Sequence, residues 1–400
     1  MALKGIPMFE RFAPSVRPLL VSAVLACAGL ILPGCTRDDG LRPDGNGNGS
    51  GSEVPKNPGD GGDVGAPRDS ARIFFSGHSL LDNPLPDFVE TISVSRGKSV
   101  NWNQQNGIGS PLRVRTWGNG NWAGYRTGKN RVGQNMDVLE ELRSPKTLGP
   151  GERYDTLVVT DRHDIPSVLQ WENTVGYLRH FHDRVAAANP DAVTYFYATW
   201  LGIDKSAPTG FIEYERAAIG AWECAASKVN LTLEAEGRTD RVVSLPGSTA
   251  LAALVEKLQA DEVPGIGGTI PQRLSAIFSD DVHLTPLGAH FMAAVQFGAI
   301  YRSSPVGAPG PSGANAETVA ALQTIAWDFV RAYYAQPHPG RRDMAECRAL
   351  MQDLCPRFAE RVGQPQSAAN CQRHFAATSP QQNPNPFVWP DPSFQPLPAP

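Results

Sequence analysis

The chain has 400 residues, 41% of them hydrophobic and 19% charged. This composition allows a large buried core and excludes a collagen, a coiled coil or a wholly disordered protein. The formal net charge of -4 supplies no positive field to hold a phosphate backbone, which disfavours nucleic acid as a partner.

The first element along the chain is a processing segment. A basic start precedes an apolar run over residues 19–32, which is short for a membrane span of about 20 residues and typical of a secretory signal. The run ends in LPGC at residues 32–35, which resembles a bacterial lipobox. We therefore predict that residues 1–34 are a signal peptide and that Cys35 is diacylated, anchoring the protein to a bacterial membrane in an extracytoplasmic location. Thr36, in place of Asp, favours the outer membrane in a Gram-negative cell; the alternative is an ordinary signal peptide or an uncleaved anchor.

The segment of residues 35–69 starts at the predicted lipidated Cys35, and residues 36–69 are rich in Gly, Asn, Asp and Pro, with almost nothing apolar. Such a segment cannot offset the entropy of ordering its backbone, so we expect a flexible tether. The folded part is predicted to begin near Ser70.

The cysteines agree with export. Four lie beyond the tether, and an even number in an oxidising compartment predicts two disulfides with three possible pairings. A zinc site is the less favoured alternative, because no CxxC pair is present. The four are Cys224, Cys347, Cys355 and Cys371.

From Ser70 onward, short β-rich runs alternate with helical patterns, which predicts a parallel sheet covered by helices on both faces. We assign this α/β domain to residues 70–302, a cysteine-bearing helical appendage to 303–378, and an extended, poorly packed proline-rich tail to 379–400. The predicted strands include 72–75, 155–160, 193–199 and 241–245, and the predicted helices include 171–188, 211–233 and 249–258.

Chemistry first appears at the end of the first strand, in the run FFSGHSLLD at residues 74–82. Active groups in such sheets lie beyond the carboxyl ends of the strands. Gly77 would let the backbone turn sharply, and Ser79 would then expose its hydroxyl at a helix N-terminus. The alternative is that Ser79 is simply an N-cap.

A second polar cluster, DDVHL at residues 280–284, immediately precedes a predicted helix that begins at a Thr-Pro pair. A serine hydroxyl needs a base to take its proton, and a carboxylate near that base holds the imidazole in one tautomer. His283 and a neighbouring aspartate could supply both groups from one turn. A surface turn with a capping aspartate is the alternative.

The two clusters together resemble the SGNH (GDSL-type) hydrolase superfamily, over residues 70–302. In that family the nucleophile lies in a GDS(L) block after the first strand, and the aspartate and histidine lie in a terminal DxxH block. The resemblance implies a three-layer flavodoxin-like fold and ester hydrolysis through an acyl-enzyme, without a metal or organic cofactor. It assigns Ser79 as nucleophile, His283 as base and Asp280 as the orienting carboxylate, with Asp281 one residue out of register.

Two further blocks of the family depart from its pattern. The backbone N–H of Gly109 matches the oxyanion donor after the second strand, with Ser110 as the alternative. Where the family has the asparagine of a GxND block, this chain has His163, whose ring N–H could serve as the donor. The alternatives are that His163 is only a loop residue or that Arg162 reaches the oxyanion. His78 replaces the aspartate of the GDS block.

A long insertion, residues 113–135, follows the second strand and carries three aromatic residues among glycines and cations. We predict a substrate loop in which Trp117, Trp122 and Tyr125 stack on the sugar faces of an acetylated or acidic polysaccharide. The alternative is a solvent loop with its aromatic rings packed against the core.

The sequence thus predicts a membrane-tethered serine ester hydrolase that acts on an ester substrate, with acetylated glycans as one class. Two alternatives remain open. One is an O-acyltransferase that uses the same triad, with a glycan hydroxyl in place of water. The other is a glycan-binding surface lipoprotein without catalysis.

Overall fold

The computed structural model of the chain describes residues 66–337, 339–378, 384–392 and 394–400. The predicted signal peptide, Cys35 and the tether as far as residue 65 lie outside these ranges. Among the described residues, no helix combines the length and the hydropathy that a membrane span requires.

Five parallel strands form the central sheet, in the order β2-β1-β3-β4-β5. This is the flavodoxin-like strand order, in which the direction of winding changes between β1 and β3. Ligand sites in such sheets lie at that change, beyond the carboxyl ends of the strands. The strands are β1 (Ser70–Gly77), β2 (Ser99–Asn106), β3 (Thr156–Val159), β4 (Val193–Tyr197) and β5 (Val242–Leu245).

Helices cover both faces of the sheet, which confirms the predicted α/β architecture. Alternate residues of each strand face opposite helical layers: Ile73 and Phe75 of β1 lie in one hydrophobic core and Phe74 in the other. Burying each such side chain contributes about 1.5–3 kcal/mol. The helices are α1 (Leu85–Ser95), α2 (Leu112–Thr116), α3 (Val138–Arg143), α4 (Ile165–Trp171), α5 (Thr174–Ala188), α6 (Thr209–Ala235), α7 (Gly247–Gln259), α8 (Ile270–Ser275), α9 (Pro286–Tyr301), α10 (Ala316–Tyr334), α11 (Met344–Arg361) and α12 (Ala368–Ala376).

The C-terminal helices extend these two layers. Helix α10 packs on α9 and α7 in the first layer, and α11 packs on α6 in the second. Disulfides join Cys224 of α6 to Cys347 of α11, and Cys355 of α11 to Cys371 of α12. The structure therefore selects one of the three possible pairings and uses all four cysteines in disulfides.

The proline-rich tail, residues 379–400, was expected to be poorly packed, and for residues 385–389 this expectation is wrong, whereas most of residues 394–400 are exposed. Phe387 is fully buried. Lys228 of α6 donates a 2.6 Å hydrogen bond to the carbonyl of Val388 and lies 4.7 Å from the centre of the Trp389 ring. Because this segment forms no regular secondary structure, its backbone carbonyls are free to accept hydrogen bonds from α6. Its aromatic rings pack against the same helix.

Candidate active site

Ser79 begins a 3₁₀ turn, Ser79–Leu81, directly beyond β1. The turn is tight because Gly77 has no side chain: a Cβ there would lie 2.7 Å from the Cβ of Leu81. The N-cap of the turn is His78. The N-cap alternative for Ser79 is therefore not what the structure shows, and its partly exposed hydroxyl lies at the carboxyl edge of the sheet.

His78 joins the ends of two strands as a neutral ring. Its Nε2–H donates to the carbonyl of Asp161, 3.0 Å away and beyond β3, while its Nδ1 accepts from the backbone N–H of Leu80 at 3.4 Å. Burial, together with the nearby charges of Arg115 and His163, lowers the pKa of His78 to about 3. The ring thus stays uncharged and keeps Nδ1 free to accept at the start of the 3₁₀ turn.

The side chains of Ser79, His283 and Asp280 form one hydrogen-bonded series. His283 Nε2 lies 3.0 Å from Ser79 Oγ, although the two residues are 204 positions apart in sequence. On its other side, His283 Nδ1 lies 2.7 Å from Asp280 Oδ2. With the Nδ1 proton donated to the carboxylate, the Nε2 lone pair faces the serine hydroxyl at proton-transfer distance.

Asp280, not Asp281, holds the imidazole. Its Oδ1 accepts from the backbone N–H groups of Val282, at 2.7 Å, and His283, at 2.6 Å. Burial raises the pKa of Asp280, but the hydrogen bonds from the amide and ring of His283 and from the Val282 amide outweigh it and hold the pKa below its usual value. The carboxylate is therefore ionised where the imidazole needs a counter-charge.

The loop after β4 supports this turn from behind. The indole Nε1 of Trp200 donates to the carbonyl of Val282 at 2.9 Å, and the N–H of Ile203 donates to the carbonyl of Asp281 at 2.7 Å. Sequence reasoning missed both residues. Each acts through a backbone carbonyl about 80 positions away, for which no local motif exists.

The loop after β2 lies beside Ser79, because β2 pairs with β1 as far as Asn106 and Gly77. Gly109 takes a left-handed φ of 65°, which favours glycine, and among the described residues its N–H has no protein acceptor. The N–H of Ser110, in contrast, donates to the carbonyl of Gly107 at 3.0 Å. Of the two predicted donors, Gly109 is the one that remains available.

His163 follows β3, the strand on the other side of β1. Its ring lies edge-on to the ring of His78, 6.0 Å between centroids, and its buried Nδ1 has no hydrogen-bond partner among the described residues. Burial lowers the pKa of His163, the charge of Asp164 raises it by a smaller amount, and the charges of Arg162 and His283 lower it further. The competing donor, Arg162, is engaged by the carboxylate of Asp164 at 2.6 and 2.8 Å.

A buried arginine beneath the site was also missed. Arg115 donates to the carbonyl and hydroxyl of Ser110, at 2.6 and 2.9 Å, and to the carbonyl of Thr160. It thereby ties the loop that carries Gly109 to the end of β3. Burial lowers the pKa of Arg115 to about 10, and nothing in the sequence distinguishes this arginine from its exposed neighbours.

The predicted substrate aromatics need a correction. Tyr125 is only 1% exposed and its hydroxyl lies 2.8 Å from His180 Nδ1, so it cannot stack on a sugar. Trp122 stacks on the His180 ring at 3.7 Å, and Trp117 packs edge-on to Trp122 at 4.5 Å. These two are half-buried against the second core, as the alternative of packed rings anticipated.

The triad itself is open to solvent. The side chains of His283 and Asp280 are 48% and 53% exposed. Ile108, next to Gly109, is 82% exposed and places an apolar side chain on the loop beside Ser79. The imidazole and the carboxylate are therefore accessible to water.

Comparisons with known proteins add little. No family model matches the chain, and no curated protein matches it. Among solved structures, a DUF4886 family protein from Bacteroides uniformis is similar over 68% of this chain and 98% of its own, with 16% identity and a TM-score of 0.45. At that level the likeness assigns neither a family nor a function.

Proposed function

We propose that this protein is a serine ester hydrolase of the SGNH type. The observation that carries the proposal is the unbroken series from Ser79 Oγ through the His283 ring to the Asp280 carboxylate, with separations of 3.0 and 2.7 Å. Nucleophile, base and orienting carboxylate are the three groups that acyl transfer through serine requires.

In the proposed reaction, Ser79 Oγ attacks the ester carbonyl carbon while His283 Nε2 takes the hydroxyl proton. The negative charge on the carbonyl oxygen is held by the N–H groups of Ser79 and Gly109 and by the ring of His163. Collapse of the tetrahedral intermediate breaks the ester C–O bond, and His283 returns its proton to the leaving alcohol. Water, deprotonated by His283, then attacks the acyl-enzyme and releases the carboxylic acid and free Ser79.

Hydrolysis is favoured over acyl transfer by the exposure of the site. Transferases must keep water away from the acyl-enzyme, and water exclusion comes from a closed site. With about half of the His283 side chain exposed, water has direct access to the ester bond of the intermediate.

The same openness supports esters carried on large molecules, and we propose acetylated polysaccharide as the substrate class. The two disulfides support an extracytoplasmic location, since such bonds persist in oxidising compartments. Lipid anchoring through Cys35 remains part of this proposal and rests on the sequence alone.

The proposal is tested with the full-length protein and p-nitrophenyl acetate. We expect Ser79→Ala and His283→Ala each to lower kcat by about 10⁴-fold or more, because each removes a group that acts only within the triad. Ser95→Ala, at an exposed serine of α1, should retain full activity. A fluorophosphonate should label the wild type and not Ser79→Ala.

Equal turnover by wild type, Ser79→Ala and His283→Ala would overturn the proposal. With a labelled acetyl ester and a glycan acceptor, the hydrolase predicts label in free acetate. Label in the glycan would instead identify an O-acyltransferase. If the protein neither turns over the ester nor reacts with the fluorophosphonate, the remaining interpretation is a non-catalytic glycan-binding protein.

A further inference from the structure

One residue of the C-terminal helices contacts the loop that supports the site. Arg361, the last residue of α11, donates from its guanidinium group to the carbonyl of Gly202 in the loop after β4. Sequence analysis assigned no chemistry to this part of the chain. The contact places a cation from the C-terminal helices against the loop that supports the Asp280–His283 turn.

Hydrogen bonds continue from that contact to the carboxylate of Asp280. The carbonyl of Gly202 shares a peptide group with the N–H of Ile203, which donates to the carbonyl of Asp281 at 2.7 Å. That carbonyl shares a peptide group with the N–H of Val282, which donates to Asp280 Oδ1 at 2.7 Å. Two peptide groups in series therefore join the guanidinium to the carboxylate.

Both peptide groups point the same way, with the carbonyl toward the cation and the N–H toward the anion. Successive hydrogen bonds in such a series polarise one another and strengthen each bond. The terminal bonds are charge-assisted, which makes them stronger than bonds between neutral groups. Because each peptide group is planar and rigid, fixing one end also fixes the orientation of the other.

The loop has little freedom to move independently. A Cβ on Gly202 would lie 3.4 Å from both Asp281 Oδ2 and Val282 Cγ2, so the loop backbone touches the turn closely. The preceding N–H, that of Leu201, donates to the buried carboxyl of Glu215 at 2.8 Å. Arg361 therefore holds a segment that is tightly packed against the turn.

We propose that Arg361 is a positioning residue for the triad, holding the Asp280–His283 turn through the peptide groups of Gly202–Ile203 and Asp281–Val282. The kinetic consequence rests on the proposed ester hydrolysis. Without the guanidinium, the turn loses its outer hydrogen bond and the imidazole is held less accurately against Ser79. Small misplacements of catalytic groups slow the reaction more than they weaken substrate binding.

The test compares Arg361→Gln, Arg361→Lys and the wild type as full-length proteins hydrolysing p-nitrophenyl acetate. We expect Arg361→Gln to lower kcat by about 10-fold with KM within about 2-fold, and the cationic donor of Arg361→Lys to restore kcat to within about 3-fold. Arg348→Gln is the matched control, because Arg348 lies on the same helix and donates to the carbonyl of Phe387 in the tail at 2.7 Å. It should leave kcat unchanged.

A second measurement does not depend on activity. In proton NMR of the same proteins, the downfield resonance of the His283 Nδ1–H, assigned by its loss in His283→Gln, should shift or broaden in Arg361→Gln and stay unchanged in Arg348→Gln. If an active wild type shares both its kcat and this resonance with Arg361→Gln, the positioning role is wrong. If no variant hydrolyses the ester but the resonance still responds to Arg361→Gln, the proposed hydrolysis fails and the positioning role stands.

Discussion

His163 follows β3, and its buried Nδ1 has no hydrogen-bond partner among the described residues. A buried nitrogen without a partner costs free energy, and one that meets a developing oxyanion recovers that bond in the transition state. We predict that His163→Ala lowers kcat by about 10²–10³-fold with little change in KM.

His163→Asn restores a donor at the same register and should recover most of that loss. The readout is kcat and KM on p-nitrophenyl acetate, with thermal unfolding as the check that both variants fold. Wild-type kcat in His163→Ala would remove His163 from the oxyanion site and leave the N–H groups of Ser79 and Gly109 as its donors.

Ser79, His283 and Asp280 could be predicted from the sequence because they lie in two short motifs. Within each motif, the spacing of the residues along the chain largely determines their local geometry. Asp280 and His283 come from a single turn, and Ser79 lies two residues after Gly77, the glycine that the turn requires. Trp200 and Arg361 could not be found this way. They act on backbone carbonyls that any residue supplies, and the fold alone brings them there.

At the scale of elements, Glu215 of α6 holds the loop after β4. Burial raises its pKa to about 8 from an ordinary 4.5, although the Leu201 amide and the charge of Arg361 act in the opposite direction. The unfolded chain therefore loses this proton at lower pH than the folded protein does. It follows that the free energy of unfolding falls as pH rises from about 4.5 to about 8.

Glu215→Gln removes this pH dependence, since the amide does not titrate. We predict that the Tm of the variant minus that of the wild type increases between pH 5 and pH 8, by about 5 °C or more. Glu213→Gln, at an exposed position of the same helix, is the control and should show no such trend. A Tm difference independent of pH would contradict the assignment of a neutral Glu215.

Strands β1, β3, β4 and β5 were predictable at this scale because each is a short β-branched or aromatic run, and their alternation with helices indicated a parallel sheet. Strand β2, SVNWNQQN, is mostly polar and lacks that signal. Helix boundaries were harder. The helix predicted over 171–188 begins three residues later, as α5 at Thr174, and Trp171 is instead the last residue of α4. Asn173, which lies between the two helices, takes a left-handed φ of 48°. Asparagine tolerates that conformation, and apolar periodicity does not reveal it. Likewise, the presence of aromatic residues in the segment 113–135 could not show that α5 would cover Tyr125.

At the scale of the whole molecule, the two disulfides close loops of very different length. Cys224–Cys347 joins residues 123 positions apart and ties the C-terminal helices to the core, whereas Cys355–Cys371 spans 16 positions within those helices. A cross-link restricts the unfolded chain more when its loop is longer. We predict that replacing both cysteines by alanine costs about 5 kcal/mol of unfolding free energy for the first pair and about 3 kcal/mol for the second.

Urea unfolding of the two double variants measures this difference. The first pair also secures α11, which carries Arg361, so its loss should reduce kcat more than loss of the second pair does. A larger loss of stability in the Cys355–Cys371 variant would show that strand and helix packing, not loop closure, sets the order.

The chain enters the fold at the amino-terminal edge of the sheet, where Arg68 donates to Asp155 at 2.8 Å. Eight residues of β1, about 25 Å at the usual rise per residue, separate that edge from Ser79. Arg68 and Ser79 therefore lie at opposite edges of the sheet, and a substrate can approach the serine without meeting the point where the chain enters the fold.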